Sequence, residues 1–149
     1  MGMFIPKDCT YFNEPLVICD HNPKWPRLFL EEKQRIRQII VNLILDIEHV
    51  GSTGIPSMAA KPIIDIQAVV NNFNNPRICV TGLRSLRYAY KGECNIAGRE
   101  YFKKPGYHIH MVQINNAEYT RRKLFVQYLR DNEDARIEYV NLKRQLDNK

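Results

Sequence analysis

The chain has 149 residues, 44% of them hydrophobic, and a formal charge of +6. That length fits one domain, spanning 1–149, with room for a substantial core, and the mixed composition argues against a disordered or fibrous chain. No apolar stretch is long enough to span a membrane, and the first residues lack the basic-then-apolar order of a signal peptide, so a cytoplasmic protein without a membrane partner is expected.

Residues 1–13 show no clear period and are expected to form an N-terminal arm. Leu16 to Cys19 is a short strand candidate. Asn22 and Pro23 then mark a helix start, Asn22 as cap and Pro23 in the first turn. The helix should run from about Pro23 to Asn42, because Trp25, Phe29, Ile36, Ile40 and Leu43 recur at helical spacing on one face. Glu31, Glu32, Lys33, Arg35 and Arg37 fill the remainder, and Pro26 is harmless so near the start. Two strands follow, Ile44–Val50 and Pro62–Val70, joined by a loop of small residues. The Asn-rich stretch from Asn71 to Pro76 is a turn.

A helix is expected from Arg77 to Arg87, weakened by Thr81 and Gly82. Tyr88–Tyr90 and Arg99–Lys103 read as strands around the Gly92–Gly98 loop, and Pro105-Gly106 turns the chain. Tyr107 to Ile114 alternates, with Tyr107, Ile109 and Met111 on one face and His108, His110 and Val112 on the other. Two helices finish the chain, split at Asp131 or Asn132. Leu124/Tyr128 and Phe125/Leu129 pair along the first, and Ala135, Tyr139, Leu142 and Leu146 form a face of the second. This order predicts an α+β fold, a mixed sheet backed by helices.

Chemistry concentrates in residues 47–70. The apolar run to Val50 stops at Gly51-Ser52-Thr53, and the next strand carries one carboxylate, Asp65, in an otherwise apolar setting. Gly51 lets backbone N–H groups approach an anion, and Ser52 and Thr53 add hydroxyl donors. An acid in an apolar strand is costly unless it is paired, hydrogen-bonded or bound to a metal. Lys61, one residue before that strand, is a natural phosphate contact, and Arg99 carries a fork that suits phosphate.

From Arg84 to Lys104 the chain has six basic residues (Arg84, Arg87, Lys91, Arg99, Lys103 and Lys104) and two acids, which favours anionic ligands. Tyr101 and Phe102 between those charges suggest a small nucleic-acid patch. The four cysteines lack Cys-x-x-Cys spacing, so free thiols in a reducing compartment are expected rather than a zinc site.

His49-Val50-Gly51-Ser52-Thr53, Ala59-Ala60-Lys61-Pro62 and Ile63-Ile64-Asp65-Ile66 resemble the signature of the GrpB family. That family is related to the nucleotidyltransferases of the polymerase-β type. The likeness extends over most of the chain, including Trp25–Lys33, Gly98–Phe102, His108-Ile109-His110 and Leu124–Leu146. The resemblance implies a nucleotidyltransferase-like sheet with two C-terminal helices packed on it. It also implies a nucleotide or other phosphorylated ligand at Gly51, Ser52, Thr53, Lys61 and Arg99, and a divalent metal on Asp65. The family pattern departs at position 67, where a second carboxylate is expected and the chain has Gln67. An amide oxygen coordinates a hard cation but brings no charge. His108, His110 and Glu48 are the side chains available to complete the set. Histidines would shift the preference from Mg²⁺ toward Mn²⁺ or Zn²⁺.

Two readings therefore stand side by side. One is a nucleotidyltransferase with Asp65 as its catalytic, metal-binding acid. The other is a catalytically silent protein of the same fold that binds a nucleotide, a phosphorylated metabolite or RNA, or that acts as an accessory to another protein. Position 67 favours the second, and the Gly-Ser loop followed by Asp65 favours the first. Alternation puts Glu48 and His49 on opposite faces, and the sequence does not say which of them meets the site.

Overall fold

A computed structural model describes residues 17–40, 42–71 and 76–147. The expected arm over 1–13, Leu16 of the first strand candidate and the middle of the Asn-rich turn lie outside the described residues. The first helix, α1 (Trp25–Ile39), begins where Asn22 Oδ1 accepts the Lys24 N–H at 2.9 Å. Trp25, Phe29, Ile36 and Ile40 are buried as their spacing predicts. The helix ends sooner than expected because Ile40 leaves the helical region, and Leu43 turns outward. Glu32, expected on the polar side, is fully buried.

Five strands form one mixed sheet: β1 (Ile44–Val50), β2 (Ile64–Val70), β3 (Ala89–Tyr90), β4 (Arg99–Lys104) and β5 (Tyr107–Gln113), in the order β1-β2-β5-β4-β3. The β2/β5 pair is parallel and the other three pairs are antiparallel. A parallel pair needs a crossover. It is supplied by α2 (Pro76–Ser85), β3 and β4. Two C-terminal helices follow, α3 (Ala117–Asp131) and α4 (Glu133–Asp147), split at Asn132 as expected. The fold is α+β.

Each face of the sheet has its own character. Ile47, Ile64, Ile66, Ala68, Val70, Phe102, Ile109 and Met111 pack with α1 and α2 into the main core. Gly82 has a use there that propensity alone does not show: a Cβ on it would lie 2.6 Å from Ile39 Cγ2, so its absence lets α2 approach α1. The opposite face carries Asp65, Gln67, His108, His110, Arg99, Tyr101 and Lys103. Near its β1 end α3 and α4 close a smaller core of Val50, Ile55, Met58, Val126 and Leu129. Cover on both faces explains why β2 reads as a nearly continuous apolar run. Cys19 and Cys79 are free, but Cys94 is disulfide-bonded, so the expectation of free thiols fails there. Among the described residues, no helix is long and apolar enough to cross a membrane.

Candidate functional site

The loop after β1 is built around a carboxylate. Gly51 has φ 71° and ψ −176°, and Ser52–Gly54 form a single 3₁₀ turn. Register places Val50 opposite Asp65. A Cβ on Gly51 would lie 2.5 Å from Asp65 Oδ2 and 2.9 Å from Asp65 Cβ. Glycine is thus required twice over, for its backbone angles and for the room it leaves the acid.

Asp65 sits beside two histidines of β5, because β2 and β5 run parallel with Asp65 level with His108 and Gln67 level with His110. Arg99 Nη1 donates to His110 Nδ1 at 3.2 Å. The other ring nitrogen of His110 therefore carries the proton and donates to Asp65 Oδ1 at 3.0 Å. Burial, reinforced by Arg122 and Arg99, pulls the His110 pKa down to about 4 against the pull of Asp65. Burial alone would raise the Asp65 pKa, but the hydrogen bond from His110, together with the two histidines beside it and, least, the Arg122 guanidinium, outweighs it and holds the acid below its usual value. His108 Nδ1 lies 3.0 Å from the Tyr101 hydroxyl and 3.8 Å from Asp65 Oδ1. Tyr101 stacks on His110 with centroids 5.3 Å apart, and the Arg99 guanidinium lies 4.5 Å from the Tyr101 ring.

Asp65 and His108 open into a cleft of about 160 Å³ lined also by Ser52, Thr53, Lys61 and Lys143. Lys143 comes from α4 and donates to Ser52 Oγ at 2.6 Å. Tyr139, one turn earlier, lies under the same ammonium at 5.2 Å. Burial raises the Tyr139 pKa, and the Asp65 charge adds to that rise. The cleft thus combines two lysines and a serine hydroxyl with one carboxylate, a setting for an anionic group.

Several expected site residues have other work. Thr53 Oγ1 donates to the Ile63 carbonyl at 2.8 Å and accepts from His49 Nε2 at 2.9 Å, which spends its hydroxyl on the loop. His49 stacks on Phe29, with ring centroids 4.7 Å apart, on the side of α1. Glu48 is the member of that pair on the Asp65 face, but its carboxylate turns to Lys123 of α3 at 3.4 Å. Arg99 is buried and staples its own loop, donating to the Glu93 and Cys94 carbonyls. It reaches Asp65 only through His110. Arg99, Tyr101, Phe102 and Lys103 are all less than a tenth exposed, so they form no surface patch for nucleic acid.

These side chains do not fit a metal as they stand. The His110 nitrogen aimed at Asp65 bears a proton, Gln67 is neutral and Glu48 is held by a lysine. Among the described residues, no group of three His, Cys, Asp or Glu is placed to hold a metal ion.

Lys143 and Tyr101 are the participants that sequence reasoning missed. Tyr101 is expected in a nucleic-acid patch, and only the β4/β5 register puts it against both histidines. Lys143 is 91 positions from Ser52 and carries no local signal beyond its i,i+4 spacing from Tyr139.

The comparisons agree with this architecture. The family model described as GrpB protein matches residues 15–149. The UPF0157 protein YqkA of Bacillus subtilis is 41% identical across 97% of this chain, which spans only 43% of that protein. The UPF0157 protein BH1888 of Halalkalibacterium halodurans is 34% identical over 90% of this chain and 70% of its own length. A solved relative, the conserved protein GrpB from Enterococcus faecalis, is 34% identical, covers 87% of this chain and 82% of its own, and superposes with a TM-score of 0.83. With its family match running through all the described elements and its fold shared by a solved member, the chain belongs to the GrpB family.

Proposed function

We propose that this chain binds a phosphorylated small molecule or nucleotide in the Ser52–Lys143 cleft, without a metal and without turnover. The observation that carries the reading is the Lys143 ammonium at 2.6 Å from Ser52 Oγ, in a cleft that Lys61 also lines. A phosphate oxygen there would accept charge-assisted hydrogen bonds from lysine. The lack of a second carboxylate at Gln67 supports metal independence, since two acids are what normally hold Mg²⁺ between phosphates.

A second reading keeps nucleotidyl transfer with Asp65 as the metal acid. It is favoured by the lowered pKa of Asp65 and by the opening of that carboxylate into the cleft. It requires His110 to give up its hydrogen bond to the acid.

The test is thermal shift and calorimetry with inorganic phosphate, ADP and ATP, each in EDTA and in Mg²⁺ or Mn²⁺. The binder reading expects stabilisation in EDTA, weakened about tenfold or more by Lys143→Ala, a loss of the size of one charged hydrogen bond. Stabilisation only with metal would favour the second reading. No response to any of these anions would sink both.

A further inference from the structure

We infer that the ligand of this cleft is a small phosphate ester that also carries a hydrogen-bond donor, a hydroxyl or ammonium group, which Asp65 reads. This rests on the phosphate-binding reading above and narrows it by size and by charge.

Size comes first. The cleft encloses about 160 Å³, whereas pockets that swallow drug-sized ligands begin at roughly 300 Å³. A whole nucleotide extends beyond that volume into solvent. A phosphate with a few carbon atoms does not.

Charge then orients the ligand. The Asp65 side chain is 28% exposed and lines the cleft. Its Oδ1 is taken by His110, while among the described residues no hydrogen bond reaches Oδ2. An ionised carboxylate oxygen repels a phosphate placed against it and attracts a donor. The phosphate therefore belongs at the Ser52, Lys61 and Lys143 side, and the far end of the ligand meets Oδ2. Bare phosphate would fill the cationic side and bring no donor to Asp65 Oδ2. An ester with a donor satisfies both ends, and specificity arises because an analogue lacking the donor leaves one oxygen of a partly buried carboxylate without a hydrogen bond.

Isothermal titration in EDTA tests this with four probes: inorganic phosphate, ethyl phosphate, O-phosphoethanolamine and glycerol 3-phosphate. At least one donor-bearing ester is expected to bind about tenfold or more tightly than ethyl phosphate, the worth of one charge-assisted bond. In Asp65→Asn, with folding checked by melting, that ratio should fall to about twofold or less. Vesicles of phosphatidylethanolamine carry the same head group on a diester. They are expected not to bind, and tighter binding to vesicles than to soluble esters would overturn the small-ester assignment. Equal binding of ethyl phosphate and both donor-bearing esters by the unmodified protein overturns the role of Asp65 while leaving phosphate binding intact. If no phosphate binds, this inference falls together with the reading it rests on.

Discussion

Replacing Gly51 by alanine tests whether the loop and the acid form one unit. The φ of 71° with ψ of −176° lies in a region that is essentially reserved for glycine, at a cost of about 1–3 kcal/mol for another residue. The new Cβ would also stand 2.5 Å from Asp65 Oδ2. Asp65 is fixed by the β2 backbone, so its carboxylate must rotate away and lose the His110 hydrogen bond, worth about 1.5–3 kcal/mol to a charged acceptor. Together these put Gly51→Ala at about 3–5 kcal/mol, a large part of the stability of an ordinary domain. Urea unfolding measures it. In an Asp65→Gly background the carboxylate and the Cβ that would stand 2.9 Å from the new methyl are both gone, and the cost should drop toward the backbone part, about 1–3 kcal/mol. A cost below about 1 kcal/mol in the parent protein, or an equal cost in both backgrounds, would refute the steric argument.

Acid should weaken the fold through His49, whose pKa burial lowers from 6.5 to about 4. The folded state keeps the ring neutral while the unfolded chain takes up a proton, so stability is complete above pH 6.5 and is lost as pH falls toward 4. The loss is roughly 3 kcal/mol at about 1.4 kcal/mol per pH unit. Urea unfolding between pH 7 and pH 4.5 should show a slope that His49→Gln reduces, and a slope unaltered by the substitution would count against it. Glu32 is fully buried against Lys104 Nζ at 2.9 Å, and that ammonium also faces the Tyr88 and Tyr107 rings. Glu32→Ala should cost about 3–5 kcal/mol, and the Glu32→Met/Lys104→Met pair clearly less, because one lost partner strands a buried charge and two lost partners do not. Melting of the two variants decides it.

Much of this fold was legible because local signals and tertiary packing agree. The β1 strand ends where Gly51 interrupts the apolar run, and β5 shows its two faces by strict alternation. Asn132 separates α3 from α4 because its side chain donates to the Tyr128 carbonyl rather than continuing the helix. Contacts formed at long range were not legible. Glu32 reads as a solvated helix residue until Lys104, 72 positions away, reaches it. Arg99 looks like a phosphate fork until the 93–94 turn folds back onto its guanidinium. Leu124 and Tyr128 pair well on paper but remain exposed, and Val126 and Leu129 are the residues that seat α3. Asp65 itself could be picked out because an acid in an apolar strand is rare enough to need a reason.

Gln67 shows what that reason implies for chemistry. It is fully buried, and among the described residues neither of its amide atoms makes a hydrogen bond. Its neighbours on the same face are Glu48 across β1, Asp65 two residues back and His110 across β5. A carboxylate at position 67 would put a third acid beside two others on a face that α3 covers. One lysine, Lys123, already answers Glu48, and Asp65 leans on His110. A third acid would have to share the few cations already engaged here, and burying it would cost far more than an unsatisfied amide. The amide is thus the residue that lets this face close without a further buried charge. Gln67 thereby leaves two acids on this face, Glu48 and Asp65, each already answered by a neighbour, Lys123 and His110.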